Sequence, residues 1–157
     1  MHLFLVRHGE AVEAQADPGR PLSENGKAEA SRIARFIGGQ FQMYLGEMVH
    51  SPKTRAAQTA RILADHLAFT GRVVEAPGLL PMDDPGIWMD RLPDLEVDTM
   101  LVGHLPHLSR LASTLLGWNS EADLVRFDTA TVVCLEGGPG NWVLKWMVSP
   151  SALKGGP

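Results

Sequence analysis

The chain has 157 residues, enough for one domain with a hydrophobic core, and we predict a single domain over residues 1–157 with a short flexible tail from about residue 154. Its formal net charge is −4 and 20% of its residues are charged, which disfavours nucleic acid and acidic membranes as partners. No segment approaches the roughly 18 uninterrupted apolar residues of a membrane span. Arg7 interrupts the first apolar run, so we expect no secretory leader.

The single cysteine, Cys134, lies within the apolar run 131–135 and has no second cysteine for an internal disulfide. Its setting predicts a buried, inert thiol, and the absence of disulfides is typical of a reducing compartment. We therefore expect a cytoplasmic protein.

Short apolar runs along the chain are typical of strands, and they cover residues 2–7, 47–50, 72–75, 99–103, 131–136 and 141–147. Helix-like runs lie between them. The alternation predicts an α/β fold, a three-layer α/β/α sandwich with a mostly parallel central sheet. Residues 137–140 (GGPG) predict a turn that joins the last two strands in a hairpin.

Three helices are predicted from their start signals and apolar spacing. Ser23 is the expected N-cap of a helix over residues 24–38. Ser51 is expected to cap a second helix opened by Pro52, and Pro106 to open a third. The segment 76–98 is less regular, and we predict a loop with a short helix that overhangs one sheet edge.

In such folds ligands bind beyond the carboxyl ends of the parallel strands. The first strand ends at Arg7 and His8, the second leads into Arg55, and the fourth ends at His104. Two arginines and two histidines should therefore meet at one edge, beside helix N-termini that favour anions. Arginine presents a planar fork of donors suited to phosphate, and a neutral histidine between such donors can attack phosphorus.

The histidines outside this set have a simpler interpretation. A lone histidine at a strand end is most often structural, and we interpret the remaining histidines in that way: His2, His50, His66 and His107. A metal site is disfavoured because no third ligand accompanies His8 and His104, and adjacent arginines would repel a cation. We expect no metal and no other cofactor.

Three segments resemble the signatures of the histidine phosphatase (phosphoglycerate mutase-like) superfamily. Residues 5–10 (LVRHGE) resemble its RHG motif, residues 51–60 (SPKTRAAQTA) its SP-x-x-RA-x-QTA motif, and residues 102–106 (VGHLP) its GH-x-P motif. RHG alone is a weak signal, but the three motifs in this order are specific. The resemblance runs from the first strand to the terminal hairpin and implies a phosphoglycerate mutase-like fold.

Two further segments resemble the small SixA-type phosphohistidine phosphatase branch of that superfamily. Residues 17–23 followed by Gly26 are similar to its D-x-x-RPLT-x-x-G segment, and residues 148–154 are similar to its C-terminal run. Ser23 replaces the threonine of that pattern, which keeps a hydroxyl for the N-cap.

The resemblance implies that His8 is the nucleophile and forms a phosphohistidine intermediate that water hydrolyses. Arg7 and Arg55 would clamp the phosphoryl oxygens, with His104 assisting. The charges of Arg7, Arg55 and a protonated His104 should lower the His8 pKa, which keeps the imidazole neutral. Arg20 is either an additional phosphate contact or a salt-bridge partner of Asp17.

Larger members of the superfamily place a carboxylic acid that protonates an alkoxide leaving group, and no clear counterpart exists in this chain. Asp83 and Asp84 are the nearest candidates, but a turn role suits them better. Glu10 either orients its loop or is solvated. Phosphohistidine leaves as imidazole, so a site without a strong acid favours a phosphoramidate over a phosphate ester.

We therefore expect a phosphatase that acts on phosphohistidine of a phosphotransfer or phosphorelay protein, with phosphate ion as product and inhibitor. One alternative is a phosphatase of a small phosphorylated metabolite, a phosphate ester. A second is a non-catalytic module that binds phosphate or a phosphoprotein, although Arg7, His8, Arg55 and His104 are all retained.

Overall fold

One six-stranded sheet runs through the centre of the molecule in the computed structural model, which describes residues 1–153. The strands are His2–Arg7 (β1), Leu45–His50 (β2), Arg72–Glu75 (β3), Asp98–Gly103 (β4), Val132–Gly138 (β5) and Asn141–Val148 (β6). Their order is β3-β2-β4-β1-β5-β6. The first four strands are parallel to one another, β5 is antiparallel to β1, and β6 is antiparallel to β5. The mostly parallel sheet and the terminal hairpin are thus confirmed. The predicted tail from about residue 154 lies outside the described residues.

Four helices cover the two faces of the sheet: Glu24–Gln40 (α1), Thr54–His66 (α2), Gly86–Arg91 (α3) and His107–Leu115 (α4). Short 3₁₀ turns follow α3 at Leu92–Asp94 and β6 at Pro150–Leu153.

Side chains of a strand alternate between faces, and β1 shows the result. Leu3 and Leu5 lie in the cluster that holds residues of α3 and α4, whereas Phe4 and Val6 lie in the cluster that holds residues of α1 and α2. The predicted three-layer α/β/α architecture is confirmed.

The helix starts agree with the sequence in one case and differ in another. Ser23 caps α1, since its Oγ accepts a hydrogen bond of 3.0 Å from the backbone N of Gly26. The predicted cap of α2 is wrong: the helix begins at Thr54 with Lys53 as N-cap and no side-chain cap. The Ser51 hydroxyl instead lies 2.5 Å from Nε2 of His104, at the edge of the sheet.

The short helix expected within residues 76–98 is α3. Trp88 is only 4% exposed and packs in the cluster with Leu3, Leu101 and Leu108, so α3 covers a face of the sheet, and it lines a groove with Val74 of the edge strand β3. The large apolar area of the indole is removed from water by packing against the sheet.

Cys134 is buried, and burial raises the pKa of its thiol to about 12, as expected of an inert structural thiol. Within residues 1–153, no helix combines the length and apolarity needed to cross a bilayer.

Candidate active site

Three adjacent parallel strands deliver the polar residues to one edge of the sheet. β4 lies between β1 and β2, and the carboxyl ends of the three strands are level, with Arg7 opposite Gly103 and His50 opposite Val102. Backbone bonds continue beyond the strands, since the N–H of His8 donates to the carbonyl oxygen of Gly103 at 3.1 Å. Residues distant in the sequence therefore meet in one cluster.

The tautomer of His8 follows from its hydrogen bonds. Its Nδ1 lies 2.7 Å from the carbonyl oxygen of Gly9, which can only accept, so Nδ1 carries the proton. Nε2 then has the free lone pair, and the Nε–H of Arg55 donates to it at 3.3 Å. The nitrogen that could attack phosphorus is thus held beside a guanidinium that could bind the phosphoryl oxygens.

The pKa of His8 is lowered to about 4, so the imidazole is neutral near pH 7. Burial is the largest cause, the bond to the Gly9 carbonyl opposes it, and the positive charges of Arg55, Arg7 and Arg20 lower the pKa further. Protonated His104 is not needed for this shift, contrary to the sequence-based expectation.

His104 lies beside His8, with the two ring centroids 5.0 Å apart. Burial, followed by the charges of His8, Arg55, Lys53 and His107, lowers the pKa of His104 to about 3. Its Nε2 contacts the buried Ser51 hydroxyl at 2.5 Å, and its Nδ1 has no hydrogen-bond partner among residues 1–153. At neutral pH this imidazole is therefore uncharged and held by Ser51.

The two arginines are held differently. Nη1 of Arg7 donates to the carbonyl oxygen of Phe127 at 2.8 Å, and its buried Nε has no partner within the described chain. Burial lowers the pKa of Arg7, against the opposing charge of Asp128, and burial with the charge of Arg20 lowers that of Arg55. No ion pair joins either guanidinium to a carboxylate in the region 1–153, so both retain donors for an anion.

Arg20 is on the loop before α1, in a left-handed backbone conformation with φ of 47°. Its Nε donates to the carbonyl oxygen of Val12 at 3.1 Å, and its charge reaches both His8 and Arg55. The alternative salt bridge with Asp17 does not form within the described residues; only the Arg20 backbone N–H binds the Asp17 carbonyl oxygen, at 3.0 Å.

The loop after His8 is fixed by close backbone contacts. The N–H of Gly9 donates to Oγ1 of Thr59 at 3.0 Å. A Cβ on Gly26 would lie 2.0 Å from the carbonyl oxygen of Glu10, so only glycine fits where α1 meets this loop.

The acidic residues near the site have structural hydrogen bonds. The Glu10 carboxylate accepts from Oγ of Ser23 at 2.7 Å and from Nδ2 of Asn25 at 3.1 Å, which lowers the pKa of Glu10. Asp83 accepts from the N–H of Leu80 and Asp84 from that of Gly86, each at 2.9 Å. Glu10 thus orients its loop, and the two aspartates have the expected turn role.

The remaining histidines lie outside the cluster. Nδ1 of buried His50 donates to the carbonyl oxygen of Ser51 at 2.8 Å, His66 is exposed, and His2 is at the opposite edge of the sheet. His107 is fully buried, and burial lowers its pKa to about 4 although the charges of Asp83 and Asp84 oppose this. Among residues 1–153 no group of three or more His, Cys, Asp or Glu side chains is placed to hold a metal ion.

Two contacts in the cluster were not predicted from the sequence. Ser51 was interpreted as a helix cap but holds His104, and Thr59, which was assigned no role in the site from the sequence, binds the His8 loop. The only sequence feature that could have indicated either contact was the position of Ser51 beside a strand end, and a role as helix cap explains that position equally well.

Comparison with known proteins agrees with this geometry. Residues 3–94 match the family model described as the histidine phosphatase superfamily (branch 1). The phosphohistidine phosphatase SixA of Escherichia coli (strain K12) is 31% identical over 159 aligned residues, covering 98% of this chain and 97% of SixA.

Solved structures give the same result. The structure of the protein histidine phosphatase SixA complexed with tungstate has a TM-score of 0.87 and 29% identity, over 98% of this chain and all (100%) of that one. The alpha-ribazole phosphatase from Shigella flexneri is 18% identical with a TM-score of 0.77, over 96% of this chain and 97% of its own, and shares the fold.

These likenesses support phosphatase activity, in agreement with a neutral histidine beside free guanidinium groups at the strand ends. With more than half of its length matched by the family model and a relative at 31% identity over nearly the whole chain, the protein belongs to the histidine phosphatase superfamily.

Proposed function

We propose that this protein hydrolyses phosphohistidine on a phosphotransfer or phosphorelay protein, through a covalent phosphohistidine intermediate on His8. The observation that carries the proposal is the hydrogen bond from Nδ1 of His8 to the Gly9 carbonyl oxygen, which leaves the Nε2 lone pair free beside Arg55. A histidine that is neutral at pH 7 and fixed in one tautomer is a nucleophile ready for phosphorus.

The arginines of the site would stabilise the negative charge of the phosphoryl group during its transfer. Negative charge spreads over the three equatorial oxygens in phosphoryl transfer, and guanidinium groups aimed at those oxygens stabilise it. Arg55 touches Nε2 of His8, Arg7 has an unpartnered buried Nε within the described chain, and the charge of Arg20 reaches His8. We assign substrate binding to these three arginines, and we expect phosphate ion to inhibit as a product.

The second step needs no protein acid. A phosphorylated His8 keeps its Nδ1 proton because the Gly9 carbonyl oxygen accepts it, so the ring is an imidazolium while phosphorus is attached. When water attacks phosphorus, the ring leaves as neutral imidazole. His104, uncharged and held by Ser51, packs beside His8 and assists phosphoryl binding as a hydrogen-bonding group.

A phosphohistidine substrate is favoured because no nearby carboxylate is placed to protonate a leaving group. Those of Glu10, Asp83 and Asp84 are held by neighbouring donors, and none contacts His8 or His104. Protonated phosphohistidine leaves as imidazole, with a conjugate-acid pKa of about 6.5, whereas an alkoxide is far more basic.

A protein substrate is supported by the groove that adjoins the site. It has a volume of about 290 Å³ and begins at Leu105 and Pro106, directly after His104. Ser109, Arg110 and Glu121 continue it, so it offers apolar and charged contacts to a partner chain. A cytoplasmic location, where phosphorelay proteins would be met, is part of the proposal.

The test is a substrate panel with a phosphohistidine protein and several phosphate monoesters, run on the wild type and His8→Ala. We expect release of phosphate from the phosphohistidine protein to fall by at least about 10³-fold in His8→Ala. His66→Ala, an exposed histidine on α2, is the matched control and should retain full activity. Full activity of His8→Ala would end the proposal, and faster turnover of an ester would favour a metabolite phosphatase.

A further inference from the structure

The groups around His8 do not include an acid that could protonate a leaving group near neutral pH. His8 and His104 are buried, neutral imidazoles, and the charges that reach His8 belong to guanidinium groups, which cannot be deprotonated in proteins. The charge of Lys53 reaches His104, but among residues 1–153 its ammonium group is hydrogen-bonded to neither histidine. The proton on Nδ1 of His8 is directed to the Gly9 carbonyl oxygen and so away from any substrate.

Each nearby carboxylate is bound elsewhere. Glu10 is held at the start of α1 by Ser23 and Asn25, and Asp83 closes a turn with the N–H of Leu80. Asp128 is the carboxylate whose charge reaches Arg7, and it is exposed, with one oxygen 3.4 Å from Oγ of Ser151. Among the residues that the structure describes, no carboxylate is hydrogen-bonded to His8, His104 or Arg55.

A site of this kind selects substrates by the basicity of the leaving group. General acid catalysis contributes about 10²–10⁴-fold to enzymatic rates, and that contribution is missing for any leaving group that needs a proton. A carboxylate leaving group has a conjugate-acid pKa of about 4, so it departs as an anion and needs none. Positive charge beside the phosphorus favours the departure of an anion as well.

We propose that the same site hydrolyses acyl phosphates, the mixed anhydrides of a carboxylic acid and phosphoric acid, as a second substrate class beside phosphoramidates. The inference rests on the proposed function in one respect, because it uses His8 as the nucleophile.

The steps balance without a further co-reactant. Nε2 of His8 forms a bond to phosphorus while the bond between phosphorus and the acyl oxygen breaks, and the electron pair leaves on the carboxylate. Water then adds to phosphorus, the phosphorus–nitrogen bond breaks, and its electron pair returns to Nε2. One proton of that water stays on phosphate and the other goes to solvent.

The chemistry is shared by a free acyl phosphate and by an aspartyl phosphate on a protein. The experiment therefore compares acetyl phosphate, a receiver domain phosphorylated on its aspartate, and an alkyl phosphate such as glycerol phosphate. We expect kcat/KM for at least one acyl phosphate to exceed that for the alkyl phosphate by at least about 10²-fold. Acetyl phosphate labelled on phosphorus should leave an acid-labile labelled phosphoryl group on the wild-type protein and none on His8→Ala.

Acyl phosphates are more reactive than alkyl phosphates even without an enzyme, so two further measurements test the site itself. The first uses aryl phosphates with a graded series of leaving-group pKa values, and the second uses the variant Asp128→Asn. In an acid-free site kcat/KM falls steeply along the series, by about 10-fold or more from p-nitrophenyl to phenyl phosphate, and equally in Asp128→Asn. A flat series, or a selective loss of ester hydrolysis in Asp128→Asn, would identify a hidden acid and overturn the inference. Hydrolysis of phosphohistidine protein with turnover of neither acyl phosphate would also overturn it, yet leave the proposed function intact.

Discussion

The two ends of β1 each present a histidine, and the two have opposite surroundings. At the amino end, Nδ1 of His2 lies 2.9 Å from Oδ2 of Asp98 and its Nε2 lies 3.4 Å from Oε1 of Glu136, with 38% of the side chain exposed. At the carboxyl end, His8 is 8% exposed and has only guanidinium charges around it. The length of one short strand thus separates a histidine that contacts two carboxylates from one that is surrounded by guanidinium groups.

The direction of the strands produces this difference. β5 is antiparallel to β1, so Glu136, near the carboxyl end of β5, lies opposite His2, and parallel β4 brings its first residue, Asp98, to the same place. The carboxyl ends of the parallel strands instead meet loops and a helix start that carry Arg20 and Arg55. The chemistry of a histidine in this fold is therefore set by the end of the sheet on which it lies.

Among the variants that test this difference between the two ends of β1, the largest loss of activity should come from a change at the carboxyl end, beside His8. Arg55→Ala removes the donor to Nε2 of His8 and should lower kcat/KM on the preferred substrate by about 10²–10³-fold. Steady-state kinetics would measure this, with Arg61→Ala, which removes an exposed arginine further along α2, as the control. A loss below about 3-fold would mean that Arg55 is a bystander in the cluster.

His107 tests how the burial of a neutral histidine affects the free energy of unfolding. Burial lowers the pKa of His107 to about 4, below the unfolded value of 6.5, so the unfolded state binds more protons between these two values. His8 and His104 add to this uptake, so stability is full above pH 6.5 and falls as the pH drops toward 4.

In His107→Leu the slope of unfolding free energy against pH in that window should decrease by up to about 1.4 kcal/mol per pH unit. Both ring nitrogens of His107 lack a partner within residues 1–153, so the variant should also be at least as stable as the wild type at pH 7. Urea unfolding from about pH 4.5 to 7.5 measures both, and exposed His66→Leu is the control. An unchanged slope would contradict the neutral state of His107.

A smaller effect is expected from Ser51, a positioning residue that holds His104. Ser51→Ala should lower kcat by about 10-fold with little change in KM, because the His104 ring loses its only hydrogen bond within the described residues. Ser51→Thr, which keeps the hydroxyl, should restore most of the rate. A change in thermal stability alone, with kcat intact, would make Ser51 merely structural.

The smallest effect, a small change in Tm, is expected at the amino end of β1, where His2 lies beside Asp98 and Glu136. His2→Ala removes two partly exposed contacts to carboxylates and should lower Tm by less than about 4 °C, with activity unchanged. A measurable loss of phosphatase activity would show that the two ends of β1 are coupled.

The sequence was sufficient to predict the layers of the fold and the convergence of Arg7, His8, Arg55 and His104, because hydrophobic periodicity and strand ends are local properties. The position of β4 between β1 and β2 could not be predicted, since strand order depends on packing between distant segments. It is this order that puts His104 beside His8.

Side-chain hydrogen bonds were predicted less well. Ser51 has the sequence context of a helix cap, and only the nearness of His104, 53 residues away, gives its hydroxyl another partner. Arg20 and Asp17 are close in sequence with opposite charges, yet the left-handed backbone at Arg20 directs its Nε to the carbonyl oxygen of Val12. Local pattern cannot decide between such competing partners.

The fit of Gly26 against Glu10 has a mechanical consequence. With room there for no side chain at all, the segment that carries His8 rests directly on the first turn of α1, and α1 is itself packed through Ile33 and Ile37 into the core. His8, the nucleophile that we propose, cannot move outward unless a 17-residue helix moves with it. An incoming phosphoryl group must therefore come to a fixed nitrogen, and the adjustment on binding falls to the substrate and to the exposed groups at the rim.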